Sequence, residues 1–140
     1  PAIAIREFTW NLFAAHYIEM VKKRAYGEGF SQEERDAAIY TLHKTLSTIL
    51  KLLAPITPFI TEHLWQTLYS ETSIHKERQA EVEEIEDHSK ITEEIIQFNS
   101  KVWNEKKTKE LSLKDSISME IPDNLTEFKK DLQSMHNLEF

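Results

Sequence analysis

Apolar residues recur every three or four positions along most of the chain, and the places where that rhythm breaks divide it into elements. From Ile3 to about Tyr26 the recurring positions are Trp10, Phe13, Ala14, Tyr17 and Val21, widened by Phe8, Leu12 and Ala15. That spacing predicts a helix buried on more than one side. The stretch YGEGF, residues 26–30, holds both glycines of the chain and ends it. Ser31, with Glu34 three residues on, then forms a capping box for a second helix whose apolar face is Ile39, Leu42, Leu46, Ile49, Leu50 and Leu53. Lys44, Ser47, Thr48 and Lys51 fall outside that face. Pro55 disfavours helical geometry at Ala54, so this helix should end near Leu53, with Thr57 capping a third helix that has Pro58 at its first position. Phe59, Ile60, Leu64, Leu68 and Tyr69 continue the apolar pattern beyond, and the two prolines read as a corner between packed helices.

Residues 70–88 are poor in apolar side chains and carry six acids between Glu77 and Asp87, the signature of a surface linker. A fourth helix is expected from about Ser89 to Lys107 on Ile91, Ile95, Phe98 and Val102. Its period gives way to alternation in SISMEIP, where Ile117, Met119 and Ile121 flank Ser118 and Glu120. Alternation signals a strand. Pro122 opens another helical pattern through Leu125, Phe128, Leu132 and Met135, and the closing NLEF alternates again. The expected fold is mainly α: a helical bundle over residues 1–72, an acidic linker over 73–88, and a small C-terminal α+β appendage over 89–140 whose last strand is cut short.

Composition narrows the functional classes. With no cysteine, disulfides and thiolate metal sites are excluded, and the six histidines lack the spacing that would set two ligands on one helical face. No apolar run approaches the roughly 20 residues that span a bilayer, nothing resembles a signal peptide, and the composition fits a reducing, cytoplasmic setting. The net charge of −7 is uneven: residues 1–72 carry seven Lys plus Arg against eight acids, and residues 73–140 carry ten against sixteen. A general nucleic-acid coat is therefore not expected. Local basic strips remain, at Lys22, Lys23 and Arg24 and at Lys101, Lys106, Lys107 and Lys109, because a phosphate senses charge over a screening length of roughly 8 Å.

Candidate chemistry is sparse. Two glycines cannot make a phosphate-cradling loop, and no serine or histidine sits in a nucleophile context. The acidic EVEEIED run lacks the alternation and central glycine of a calcium loop and reads as a solvated face. Trp10, Tyr17, Trp65 and Trp103 could stack on bases, although Trp10 and Tyr17 lie on apolar faces and read first as core. Trp103, beside Val102 but flanked by Asn104, Lys106 and Lys107, suits packing and stacking equally.

Three stretches together resemble the C-terminal anticodon-binding region of class I aminoacyl-tRNA synthetases, most closely archaeal-type valyl enzymes. KLLAPITPFITEHLW, Lys51 to Trp65, resembles the corner shared by the valyl, isoleucyl and leucyl enzymes. REFTWNLFAAHYIEMVKKRAY resembles the valyl helix through Phe8, Trp10, Tyr17, Ile18, Glu19 and Lys22, and Val102 to Pro122 resembles the segment after the bundle. The resemblance implies a non-catalytic, tRNA-binding region without a cofactor of its own. Its partners would be valine-accepting tRNA and a catalytic domain of the same parent chain, which would use ATP and magnesium to ligate valine. The class I nucleotide-binding signatures are absent from these residues, and the family's bundle has further helices upstream. Arg6, Lys22, Lys23, Arg24, Lys101, Trp103, Lys106, Lys107 and Lys109 are the candidate RNA contacts. The alternative is a helical protein-interaction or scaffold module with an exposed groove. Convergence of the basic residues on one concave face would favour RNA, and their dispersal beside an open apolar patch would favour a protein partner.

Overall fold

The computed structural model describes residues 2–79 and 86–139. Its elements in order are α1 (Ala2–Glu7), a π-helical segment (Phe8–Ile18), α2 (Glu19–Tyr26), α3 (Gln32–Leu53), α4 (Pro58–Leu68), a 3-10 turn (Ile74–Lys76), α5 (Ser89–Thr108), β1 (Ile117–Ser118), a second 3-10 segment (Asp123–Phe128), α6 (Lys129–His136) and β2 (Leu138–Glu139). The fold is mainly α.

The first helix runs unbroken to Gly27, whose left-handed φ of 77° ends it as expected. Its middle is wound differently. In a π-helix each amide reaches back five residues, so positions five apart align. Phe8 therefore stacks on Phe13, five residues on, at 6.3 Å; Phe13 also stacks on Tyr17, four residues on, at 5.9 Å. Phe13 and Val21 are buried, but Trp10, expected in the core from α-helical spacing, is 75% exposed. The winding turns it outward.

The α3 boundaries follow the sequence: the Ser31–Glu34 capping box is formed and Leu53 is the last helical residue. Pro58 starts α4, but the Thr57 hydroxyl donates back to the Leu53 carbonyl (3.3 Å) instead of accepting a helix amide. α4 turns Thr61 and Trp65 inward, and Leu50, Ala54, Trp65 and Ile74 form a core that Leu46, Leu64 and Tyr69 flank. Phe59, Ile60 and Leu68, expected to pack, are exposed, because only one face of α4 meets α3. The segment read as a linker begins tied to α4, since Glu62 accepts from the Ser73 hydroxyl (3.1 Å) and the Ile74 amide (2.9 Å). Residues 80–85, with most of the acidic run, lie outside the described residues.

A second core gathers Phe98, Val102, Ile117, Leu125, Leu132 and Leu138. β1 and β2 pair in parallel, Ile117 with Leu138 and Ser118 with Glu139, and the 3-10 segment and α6 supply the crossover that parallel pairing needs. α5, β1, the second 3-10 segment with α6, and β2 follow one another in that order; Phe140 lies outside the described residues. α2 packs on α3 and α6 together and sends Met20 against the second core.

Candidate nucleic-acid interface

The candidate residues sit on α1, α2 and α5, with Lys109 at the C-terminal cap of α5. On α5, Phe98, Val102 and Lys106 recur at four-residue intervals and share the buried face. Lys106 is 1% exposed, and its ammonium donates to the carbonyls of Leu113 (2.8 Å), Asp115 (2.7 Å) and His136 (2.8 Å). All three donors are used inside the chain. Burial pulls its pKa below the usual lysine value, against the opposing charge of Asp115. Lys106, expected among phosphate contacts, instead ties the loop before β1 to the end of α6. Lys101 and Lys107 point to solvent, and exposed Lys109 pairs with Glu105 at 3.0 Å.

Trp103 is half-buried between two histidines, its ring 5.3 Å from that of His16 and 5.9 Å from that of His136. Packing accounts for those contacts. Beneath it the fully buried Asn99 bridges the same pair: its amide nitrogen donates to His16 Nδ1 (3.2 Å) and its oxygen accepts from His136 Nε2 (2.7 Å). This polar chain joins the π-helical segment, α5 and α6, and sequence patterning missed it. Burial, reinforced by the charges of Lys106 and His16, lowers the His136 pKa from 6.5 to about 4. The unfolded chain therefore takes up a proton between those values that the folded protein refuses. Stability is full above the upper value and should fall by on the order of 3 kcal/mol as pH drops through the window. Denaturation midpoints at pH 7 and 4.5 measure this loss, which should shrink in His136→Gln; an equal loss in that variant would assign it elsewhere.

The other basic strip is divided. Arg24 makes a two-pronged ion pair with Asp131 of α6, through Nε (2.9 Å) and Nη2, and lies 5.6 Å from the Phe30 ring centre. Lys23 donates to Asn137 Oδ1 (2.9 Å), and Lys22 pairs with Glu19 (3.2 Å). Arg6 is exposed on α1, where it lines a hollow of about 340 Å³ with Glu7, Trp10 and Asn11. The expected cations thus do not converge on one concave face. Arg6, Lys22, Lys101, Lys107 and Lys109 face outward, whereas Lys23, Arg24 and Lys106 hold the fold together. A hollow of about 500 Å³ runs along outer α5 past Gln97, Ser100, Lys101, Asn104 and Thr108. A larger groove of about 580 Å³ lies between α1 and α3, walled mainly by Ala4, Ile5, Phe8, Ile49 and Leu52. Among the described residues, no helix is long and apolar enough to cross a membrane.

Comparison with known proteins places this geometry. The family described as the anticodon-binding domain of tRNA ligase matches residues 2–121. The chain belongs to that family. The anticodon-binding domain is 40% identical over 144 residues to a valine–tRNA ligase of Pyrobaculum aerophilum, covering 99% of the chain and 18% of the relative. It is 34% identical to the Aeropyrum pernix valine–tRNA ligase, covering 97% and 18%, and 35% identical to that of Ehrlichia ruminantium strain Gardel, covering 96% and 18%. The anticodon-binding domain thus spans under a fifth of the length of these relatives. No solved structure matches it.

Proposed function

We propose that the chain is the tRNA-binding, non-catalytic part of a valine–tRNA ligase, holding the anticodon arm while a catalytic domain of the same polypeptide joins valine to the tRNA with ATP. The observation that carries this reading is the family match over residues 2–121. Physically, the outward Lys101, Lys107 and Lys109 supply phosphate contacts on α5, and the neighbouring amides and hydroxyls suit ribose and base edges. Binding to valine-accepting tRNA should weaken with salt. In the Lys101→Ala/Lys107→Ala double variant the log–log salt slope should shrink by about two. Absence of salt-dependent binding at low ionic strength would reject the reading for this chain.

A second reading, a helical module that docks on a protein surface, is favoured by the open groove between α1 and α3 and by the dispersal of the cations. The two are separable, since salt-independent capture of a protein segment with no affinity for tRNA would select the second.

A further inference from the structure

One departure from the helical pattern leaves an aromatic ring in water beside polar side chains. Trp10 shares α-helical spacing with Phe13 and Tyr17, yet it is 75% exposed while Phe13 is 7% exposed. Its surroundings differ from those of exposed Phe8 and Leu52. The groove between α1 and α3 is walled mostly by aliphatic and aromatic side chains, whereas the hollow at Trp10 is lined by Arg6, Glu7 and Asn11. The centre of a protein–protein contact is depleted in charge, so a protein partner suits the first surface better than the second.

We propose, resting on the tRNA-binding reading above, that Trp10 is a stacking platform for one unpaired RNA nucleotide, with Arg6 holding its phosphate and Asn11 meeting its base edge. An indole face accepts any base, and single-stranded loops are where bases are free to splay onto such a ring. Arg6 at the end of α1 and Trp10 in the π-helical segment line the one hollow. Its guanidinium supplies the positive charge that the phosphate of a stacked nucleotide requires. Asn11 both donates and accepts. Glu7 accepts from an exocyclic amino group and repels phosphate, which turns the base inward and the backbone toward Arg6. Within the described residues, the side chains of Arg6, Glu7 and Asn11 make no hydrogen bond to the protein and are available to a ligand.

The test uses the 140-residue chain and a synthetic RNA hairpin carrying the anticodon stem and loop of a valine-accepting tRNA, with a loop-free duplex of the same stem as control. Trp10→Ala should weaken hairpin binding by about ten-fold or more and leave duplex binding and the salt slope unchanged. Trp10→Phe should keep most of the affinity, and Arg6→Ala should lower the salt slope by about one. If the wild type binds the hairpin and Trp10→Ala binds it equally well, the platform is refuted and the tRNA reading stands. If that variant binds normally but its denaturation midpoint falls, Trp10 is a packing anchor. If the wild type shows no salt-dependent binding to hairpin or tRNA, the tRNA reading fails and the platform with it.

Discussion

Replacing Lys106 by Met is expected to lower the unfolding free energy by about 3–5 kcal/mol, on the order of 1–2 kcal/mol for each of three carbonyls left without a donor. The substitution keeps the length of the side chain but leaves the Leu113, Asp115 and His136 carbonyls without their shared donor. Each orphaned acceptor carries a desolvation cost that packing does not offset. Lys107→Met, one residue on and exposed, should change stability by no more than about 0.5 kcal/mol. Urea denaturation midpoints compare the two. Equal, small effects would remove Lys106 from the interior and return it to the RNA surface.

The second large effect is asymmetric. Arg24→Met should cost about 3–5 kcal/mol because it strands the Asp131 carboxylate, only 2% exposed, without its counter-charge. Asp131→Ala should cost less, roughly 1–2 kcal/mol, because the Arg24 side chain is 28% exposed and its guanidinium can turn to water. Chemical denaturation of both variants measures the difference. Equal losses would show that the pair acts through packing alone. Neither variant should alter the salt slope of tRNA binding, since Arg24 is committed to α6.

These two residues show where sequence reading stopped. Element boundaries were legible wherever a residue has a single local use: Gly27 at the left-handed helix end, Ser31 with Glu34 at the α3 start, and the shift from helical period to alternation at Ile117. The burial of Lys106 left a signal, since it continues the Phe98 and Val102 stripe at four-residue spacing. Lysine is so seldom buried that its type outweighed its position. The carbonyls that hold it belong to residues 113, 115 and 136, whose approach depends on the βαβ crossover, and no local pattern encodes that. The same holds for Arg24, whose partner lies 107 residues away, and for Asn99 between two histidines. Trp10 was misplaced for a different reason, because apolar spacing was read on an α-helical wheel and the Phe8–Ile18 segment is wound as a π-helix. The anticodon-binding family could be recognised from short motifs, but which of its cations face outward could not.

The two-sided packing of α2 also has a consequence in time. Its partner α3 follows within a few residues, but the Asp131 and Asn137 groups that meet Arg24 and Lys23 come 107 and 114 residues later. At a synthesis rate of about 5–20 residues per second, one flank of α2 waits on the order of ten seconds for its cover. An apolar flank exposed that long would be a site for aggregation on the ribosome. Charged side chains stay hydrated until α6 arrives, so closing this junction through Arg24 and Lys23 lets the early helices form without sticking and postpones closure until the C-terminal segment has been made.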